Sequence, residues 1–555
     1  MNSTHLSSQD RGARPNAFAG ERLWALTLAA GTVAITNVPY LIGWFRQTPD
    51  VIFSGILFDA IDANAYLAVM QEGWRGLWLM RLPYSVEPHS PLFLYEFYIL
   101  LGHLSRWLGL SPLVGYHVAR GGCGLWMLWA AHEYLRAHIS RGAVRRIAFI
   151  LLCVGSGFGW LMQIVAPAGP AGISPIDFWL MDAYAFFSIL LVPHFAATWA
   201  LALTLLTSVS RAALQPGRLT ALVAFLAGLG LAIVNPKVAP AMGAVAMVSA
   251  SVLAWQIRRR SGAVLGVLAA SGTGVALPAL YYAYLFKTDP IFAALAHQDI
   301  TMSPPPIYYL LGLGVVALLA FVGAVKVLQR RRARELPLLI WPLVVGILLY
   351  APVQIQRRFI MGVQVPLAGL AGIGLVAIVL PALRRTSVVE RLGRIYPPRR
   401  LRLLALNLTL AASSLSNILL LTGYSLAAWL RAPEMFIPRD VAEAADWLGA
   451  ADSDLTLSAY PTGNYIQARS GARTCIGHWN LTIDFYAKQD VVRRIFDSAT
   501  DAIERERLVR AMGCRYVFYG PYERALGSFQ PQTADFLRLR YANGSVAIYE
   551  VSDGR

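Results

Sequence analysis

The feature that most constrains this sequence is a series of long apolar runs that recurs over most of its length. A helix of about 20 apolar residues matches the roughly 30 Å hydrocarbon core of a bilayer. We therefore predict an all-α polytopic membrane bundle with about 11–13 transmembrane helices. The candidate spans lie near residues 23–45, 112–135, 146–166, 183–209, 219–234, 238–257, 263–286, 306–329, 336–352, 361–383 and 403–429.

Composition and charge support this class. Of the 555 residues, 56% are hydrophobic and 14% are charged. The formal net charge of +17 comes from basic residues in short loops between apolar runs, which is typical of cytoplasmic loops and not of a nucleic-acid surface. We therefore expect a multi-pass protein of the bacterial inner membrane and no nucleic-acid partner. Residues 1–22 are predicted to be a cytoplasmic tail, because the first apolar run is too long for a signal peptide and lacks a cleavage site.

The basic loops also predict the orientation of the chain. With a cytoplasmic N-terminus, they obey the positive-inside rule if the segment 91–110 does not cross the membrane. This segment carries Glu96, His103 and Arg106, so we expect a juxtamembrane or half-inserted helix. The basic groups are Arg136, Arg141, Arg145 and Arg146; Arg211 and Arg218; Arg258, Arg259 and Arg260; Arg330, Arg331, Arg332 and Arg334; and the run 384–402.

The composition changes from about Pro433 onward. We predict a transmembrane domain over 23–430, with an outer loop at 46–111, and then a small soluble α/β domain over 431–555 outside the cytoplasm. The expected elements are an amphipathic helix at 440–448, strands at 455–460 and 514–519, two helices between 484 and 512, and a hairpin turn at 541–545. Cys475 and Cys514 share this region, so a disulfide is one possibility.

An acidic loop follows the first apolar run, and its carboxylates are the leading candidates for chemistry. Asp59 and Asp62 lie there, just ahead of Tyr66. Transfer of a group from a lipid phosphate to a hydroxyl or an amine needs a carboxylate that takes the acceptor's proton. The alternative is that the two residues only cap a helix. We favour the catalytic role for Asp62 and the capping role for Asp59.

Other polar candidates lie on the same predicted face. Glu87 and His89 are flanked by prolines and could supply a second acid, a metal ligand, a substrate hydrogen bond or only a loop. Asp182 and His194 lie on a segment that enters the membrane from outside, where ionisable groups are functional by default. His194 could equally be a satisfied core group, and Arg120, inside an apolar run, is open to the same two interpretations.

Two arginines break the charge pattern. Arg357 and Arg358 fall in a short outer turn, where the positive-inside rule predicts few basic residues. A pair of guanidinium groups there suits the phosphate of a polyprenyl-phosphate head group. The alternative is that both side chains only reach from helix ends to the membrane surface. Lys237, in another outer turn, is a similar phosphate-binding candidate.

Motifs of other enzyme classes do not occur in the sequence. It contains no Walker loop, no dinucleotide fingerprint, no HExxH or GxSxG pattern and no zinc spacing. We therefore predict no cofactor and assign no metal ligands, a divalent metal being possible but unsupported by any motif, and any donor must arrive already activated. No internal repeat is found, which disfavours a transporter built from related halves.

On these residues the chain resembles the C-type (GT-C) integral-membrane glycosyltransferases, which include protein O-mannosyltransferases and aminoarabinose transferases. The similar features are the acidic first outer loop with Asp59, Asp62 and Tyr66, the stretch Glu87-Pro88-His89-Ser90-Pro91, many hydrophobic helices and a soluble outer C-terminal domain. It resembles more closely a group of uncharacterised bacterial membrane proteins. The stretches shared with that group are Asp-x-Asn-x-Tyr-Leu-Ala, Pro193-His194-Phe195, Gln356-Arg357-Arg358-Phe359 and Gly477-His478-Trp479.

The resemblance implies a glycosyltransferase that uses a polyprenyl-phosphate-linked sugar, with Asp62 in the place of the loop carboxylate and Asp59 and Tyr66 beside the substrate. Where several superfamily members have Asp-Glu, this chain has Asp62-Ala63, so the resemblance does not carry over a metal requirement. The acceptor is undefined. The competing hypotheses are a lipid or polysaccharide transporter and a non-catalytic membrane assembly protein.

Overall fold

Helices make up most of the chain before residue 431, as the apolar runs predict. The computed structural model describes residues 15–165, 174–212, 216–256, 261–451 and 455–552. The helices are α1 (Pro15–Ile35), α2 (Val38–Phe45), α3 (Ala60–Trp74), α4 (Glu96–Trp107), α5 (Pro112–His138), α6 (Gly142–Val154), α7 (Gly159–Val165), α8 (Ala185–Leu191), α9 (Pro193–Ala212), α10 (Arg218–Val234), α11 (Ala239–Gln256), α12 (Ser261–Thr288), α13 (Pro290–Gln298), α14 (Pro306–Arg330), α15 (Pro337–Leu348), α16 (Gln364–Gly374), α17 (Leu380–Leu383), α18 (Ser387–Gly393) and α19 (Pro398–Leu430).

Two parts of the predicted topology fall outside the described residues. One is the cluster Arg258, Arg259 and Arg260, and the other is residues 1–14 of the predicted tail. The rest of that tail is not a separate segment, because α1 already begins at Pro15.

By length and composition, fewer helices can span a membrane than we predicted. Within the described ranges seven segments qualify, or eight if the bent pair of α6 and α7 counts as one span. The expected 11–13 included helices that are too short or too polar. Helix α15 has 12 residues and α10 has 17, while Arg120, Glu133 and Arg136 interrupt the apolar sequence of α5. The prediction of a polytopic helical membrane protein is confirmed, with seven or eight candidate spans among the described residues by length and composition.

Arg120 is buried where two of these helices break, and its contacts account for it structurally. Pro193 starts α9 without an N–H group, which leaves carbonyls at the end of α8 without their helical donor. Arg120 donates to the carbonyl oxygens of Ile189 (3.0 Å) and Leu190 (3.2 Å), and to Oδ1 of Asn37 (2.5 Å) between α1 and α2. These bonds hold the break that places His194 at the beginning of α9.

The outer loop contains two helices that pack closely on each other. Glycines allow the close packing, because a Cβ on Gly73 of α3 would lie 2.1 Å from the carbonyl oxygen of Ile99 on α4. Helix α4 has 12 residues, or about 18 Å at 1.5 Å per residue, and so is shorter than the hydrocarbon core. This length fits the expectation that the segment 91–110 does not cross the membrane by itself.

The C-terminal region contains the predicted mixture of helices and strands. Its four-stranded sheet has the order β3-β4-β6-β5, with β3 and β4 parallel and the other neighbours antiparallel. The strands are β1 (Val51–Phe53), β2 (Phe436–Pro438), β3 (Thr456–Leu457), β4 (Tyr516–Tyr519), β5 (Leu537–Asn543) and β6 (Val546–Val551). The helices are α20 (Arg439–Ala450), α21 (Tyr460–Ser470), α22 (Phe485–Phe496), α23 (Ala502–Ala511) and α24 (Pro521–Arg524).

Contacts join this region to the outer loop. Strand β1 of the loop pairs antiparallel with β2. Helix α3 lies against α21, where Nδ2 of Asn64 donates to Oδ1 of Asn464 (2.9 Å) and Nε2 of Gln71 donates to backbone carbonyls of α21. Cys475 and Cys514 form a disulfide, with Cα atoms 6.8 Å apart. The acidic turn ahead of α3 is therefore held against the C-terminal region.

Candidate active site

Asp62 lies in the first turn of α3 and is hydrogen-bonded to a histidine from the C-terminal region. Its Oδ1 is 2.9 Å from Nε2 of His478. The other ring nitrogen of His478, Nδ1, accepts the backbone N–H of Asn480 (3.0 Å), so the proton sits on Nε2 and is donated to Asp62. Burial raises the pKa of Asp62, but the hydrogen bond and electrostatic attraction of His478 and the positive charges of Arg358 and Lys237 together outweigh burial and leave that pKa below the usual range. Asp62 is therefore ionised and fixed in orientation.

Asp59 caps the helix that carries Asp62. Its side chain accepts the backbone N–H of Asp62 at 3.4 Å, and its φ of 50° is a left-handed conformation that Asp tolerates better than most residues. Burial, followed by the negative charge of Asp62, raises the pKa of Asp59 to about 6. The cap that we favoured for Asp59 is present, and it leaves the carboxyl group beside Asp62.

A cavity of about 350 Å³ lies beside α3, and four of the predicted site residues line it. We call it the Arg358 cavity. Its lining residues with polar side chains are Tyr66, Tyr95, Tyr98, His194, Asn235, Lys237, Tyr282, Asp299, Arg358 and Asn480. Tyr66 also lines a small pocket that contains Asp59 and Asp62. Asp62 is not itself among the lining residues of the Arg358 cavity, and Tyr66 is the residue that the small pocket and the cavity share.

Both cations of the Arg358 cavity have carboxylate partners. Lys237 forms an ion pair with Asp299, and Nη1 of Arg358 lies 3.3 Å from Oδ2 of the buried Asp182. Burial lowers the pKa of Lys237, although the charge of Asp299 opposes this. A guanidinium has five N–H donors, and the bond to Asp182 uses one of them. Arg358 thus keeps donors for a ligand, and Asp182 orients it from behind.

Three predicted site residues have contacts elsewhere. Arg357 is not among the lining residues of the Arg358 cavity, and its guanidinium lies 4.9 Å from the ring centre of Trp179. Oε1 of Glu87 is 2.5 Å from Nζ of Lys488, and Oε2 accepts the hydroxyl of Ser85. His89 accepts the backbone N–H of Leu82 through Nε2, so its Nδ1 proton goes to the carbonyl of Glu87.

These contacts bear on the roles predicted for Glu87, His89 and Arg357. Glu87 joins its loop to α22 through Lys488, and His89 is bonded within its own loop. Neither residue is among the lining residues of the Arg358 cavity. Arg357 packs on an aromatic ring while Arg358 lines the cavity, so the structure places the two arginines in different surroundings. Asp182 contacts the cavity only through Arg358.

A second and larger cavity lies on the other side of the Asp62 turn. We call it the apolar groove. It has a volume of about 800 Å³ and runs between the turn before α3, the last third of α19 and the C-terminal region. Asp59 and Asn64 lie at its inner end. The acidic turn thus separates two cavities of different character.

Sequence reasoning missed several residues of this arrangement. His478 stands in the quoted stretch Gly477-His478-Trp479, but no role was assigned to it. Asp299 and Tyr95 also went unnoticed, because only the fold brings them to Arg358. The signal for His478 was its place in the stretch Gly477-His478-Trp479, one of the stretches that carry the resemblance. Among the described residues, no cluster of three or more His, Cys, Asp or Glu side chains could hold a metal ion.

Comparison with known proteins finds similarity in structure alone. No protein-family model matches the sequence, and no curated protein sequence matches it. The archaeal oligosaccharyltransferase AglB from Archaeoglobus fulgidus superposes with a TM-score of 0.53 at 13% identity, covering 90% of this chain and 69% of AglB. ArnT from Cupriavidus metallidurans gives 0.52 at 12% identity, with 93% of this chain and 97% of ArnT covered. The mycobacterial arabinofuranosyltransferase AftD gives 0.51 at 15% identity, covering all of this chain and 42% of AftD.

These similarities confirm the predicted fold. The chain has a fold similar to those of ArnT, AglB and AftD, with a helical membrane part followed by a small C-terminal region with a mixed sheet. At these identities the likeness concerns the fold, and function has to be argued from the site. The AglB structure is a complex with an inhibitory peptide and a dolichol-phosphate, and a second ArnT structure has undecaprenyl phosphate bound.

Proposed function

We propose that this protein is a glycosyltransferase that moves a sugar from a polyprenyl-phosphate-linked donor to an acceptor at the outer face of the membrane. The observation that carries the proposal is the position of Asp62, fixed by His478 between the Arg358 cavity and the apolar groove. The bound polyprenyl phosphates of AglB and ArnT support this donor class.

The donor belongs in the Arg358 cavity. Arg358 and Lys237 are the cations among its lining residues, and a guanidinium can bind two phosphate oxygens at once. Tyr66 and Tyr98 stack with ring centroids 4.7 Å apart, and such aromatic walls suit the apolar face of a sugar ring. The phosphate would therefore bind at Arg358 with the sugar directed toward Asp62.

The transfer step follows from these positions. Asp62 accepts a proton from the acceptor's hydroxyl or amine as that oxygen or nitrogen forms a bond with the anomeric carbon. The bond between this carbon and the phosphate oxygen breaks, and its electron pair stays on the phosphate. Arg358 stabilises the added negative charge. His478 donates to Asp62, does not touch the reacting atoms, and acts as a positioning residue.

The proposed orientation places this site outside the cytoplasm. Two features support it. The disulfide between Cys475 and Cys514 suits an oxidising compartment, and the basic loops at Arg136 and Arg330–Arg334 suit the opposite side. Proteolysis of intact spheroplasts should clip the C-terminal region. Cleavage at Arg330–Arg334 with protection of that region would contradict the orientation.

The catalytic role is tested with Asp62→Asn, which keeps the shape of the side chain but cannot accept a proton. We expect transfer from a polyprenyl-phosphate sugar in proteoliposomes to slow by about two to four orders of magnitude. Asp50→Asn, an exposed aspartate of the same loop, is the matched control. Thermal stability is recorded on the same samples. An Asp62→Asn protein that is folded and keeps more than about a tenth of wild-type turnover would refute the assignment.

A further inference from the structure

The apolar groove is a cavity whose lining differs in chemistry from that of the Arg358 cavity. Its walls are the turn before α3, the segment of α19 from Leu419 to Ala427, and the C-terminal region around Pro461 and Tyr522. A cavity of about 800 Å³ is within the range of small-molecule sites.

The groove communicates with the lipid-facing surface of the protein. Helix α19 is one of the candidate membrane spans. Leu419 lines the groove and is 47% exposed, and Gly423, one turn along the same helix, is also exposed. Nothing lies within 4 Å of the position that a Cβ on Gly423 would occupy. An amphipathic molecule could therefore enter from the bilayer along this face of α19.

The charges of the groove exclude one class of ligand. No Lys or Arg is among its lining residues, and the ionisable acids there are Asp59 and Glu434. The Arg358 cavity, by contrast, is lined by Lys237 and Arg358. A phosphate group in the groove would meet carboxylates and no cation, which is unfavourable at short range. Uncharged hydroxyl groups and amines face no such penalty.

The geometry points to the apolar groove as the acceptor site, and to a phosphate-free amphipathic lipid with a hydroxyl or amine head as the acceptor. This inference rests on the proposed glycosyltransferase function and names the acceptor class for it. The head lies at the Asp59 end, next to Asp62, while the alkyl part lies along α19. The acceptor's oxygen or nitrogen gains the sugar and loses its proton to Asp62, and the polyprenyl phosphate leaves from the opposite side.

Photo-crosslinking tests the site without depending on turnover. The purified full-length protein is reconstituted in vesicles that carry either a photoactivatable diacylglycerol or a photoactivatable phosphatidic acid. We expect the diacylglycerol probe to label peptides of α19, and the phosphatidic acid probe to label them about fivefold less, as for one short-range charge repulsion. Gly423→Trp fills the groove and should abolish the labelling. Gly272→Trp, at another open glycine on a candidate span, is the matched control.

A charge reversal checks the reason for the selectivity. Glu434→Lys should raise labelling by the phosphatidic acid probe to the level of the diacylglycerol probe. Equal labelling by both probes in the wild type, or labelling unchanged in Gly423→Trp, overturns the inference. Displacement of the probe by undecaprenyl phosphate would also overturn it, because the groove would then hold the donor.

These outcomes are separate from a failure of the proposed function. The crosslinking reads occupancy of the groove and needs no turnover, so it is measured on the wild-type protein whatever Asp62→Asn does to transfer. The transfer assay on Asp62→Asn therefore tests catalysis, and the crosslinking tests the acceptor site.

Discussion

Two acidic turns of the outer loop are both tied to the C-terminal region, and only one of them leads to a cavity. Asp62 accepts a hydrogen bond from His478, and Glu87 forms an ion pair with Lys488. Both oxygens of Glu87 have partners, since Ser85 donates to the second one. Oδ2 of Asp62 has no hydrogen-bond partner among the described residues, and it belongs to a residue that lines the pocket between the two cavities. A carboxylate can accept a substrate proton only if one of its oxygens stays available. Asp62 meets this condition and suits catalysis, whereas Glu87 does not and suits a structural role in its loop.

The largest expected effect is the difference in turnover between variants of the two carboxylates, Asp62 and Glu87. Glu87→Gln removes one ion pair at a partly exposed site, which is worth at most about 1 kcal/mol. We expect its turnover to stay near that of the wild type, while Asp62→Asn falls by about two to four orders of magnitude. Parallel transfer assays on the two variants measure the gap. Equal losses in both variants would mean that the contrast between the turns is wrong.

The next effect separates the two neighbouring arginines. Arg358→Gln should weaken donor binding by a factor that corresponds to about 1.5–3 kcal/mol, because a charge-assisted hydrogen bond to phosphate is lost. Arg357→Gln should leave donor binding near normal, since this side chain packs on Trp179. Binding of undecaprenyl phosphate to each purified variant is the measurement. Stronger loss in Arg357→Gln would move the phosphate site away from the Arg358 cavity.

The fold was predictable from local patterns, because apolar run length, basic loops and strand alternation are properties of short segments. The strands near Thr456 and Tyr516 and the hairpin before Val546 were found in this way. The candidate spans are fewer than the apolar runs because α10 and α15 are short and α5 carries Arg120, Glu133 and Arg136.

The site was only partly predictable. Asp62 stood out because a carboxylate near lipid is rare, whereas the pairing with His478 joins residues that are 416 positions apart. No local pattern gives such a contact. The difference between Arg357 and Arg358 also depends on the fold, because adjacent side chains point to different neighbours.

The pH dependence of kcat distinguishes the two contacts that join the outer loop to the C-terminal region, Asp62 with His478 and Glu87 with Lys488. His478→Ala removes the hydrogen bond that lowers the pKa of Asp62, so that pKa should rise. Because Asp62 works deprotonated, the acid limb of the kcat profile should move to higher pH, while the donor KM changes little. Lys488→Ala breaks the other contact and should leave the acid limb in place. His478→Gln, which retains a donor, should restore part of the wild-type profile. An acid limb that does not move in His478→Ala would remove the positioning role.

The smallest effect concerns the helix cap between the two cavities. The pKa of Asp59 in the folded protein is about 6, above the ordinary value of 3.8, because of burial and the charge of Asp62. The folded state therefore binds this proton more tightly than the unfolded chain, and the contribution of Asp59 to stability falls as the pH rises from about 4 to 6. Asp59→Asn keeps a capping oxygen but carries no charge, so its stability does not fall in this way as the pH rises.

Thermal unfolding of both proteins between pH 4 and pH 7 measures this difference. Above pH 6 we expect Asp59→Asn to be more stable than the wild type by at most about 1 kcal/mol, since Asp59 is partly exposed in the groove and solvent screens its charge. Near pH 4 the difference should vanish, because Asp59 is then protonated in the folded protein. Asp501→Asn, at the N-cap of α23, controls for the exchange of a capping aspartate. A difference in stability between Asp59→Asn and the wild type that is the same at every pH would show that burial and the charge of Asp62 do not raise the pKa of the Asp59 carboxyl group. Asp59 would then be a helix cap that contributes nothing to the charge of the groove.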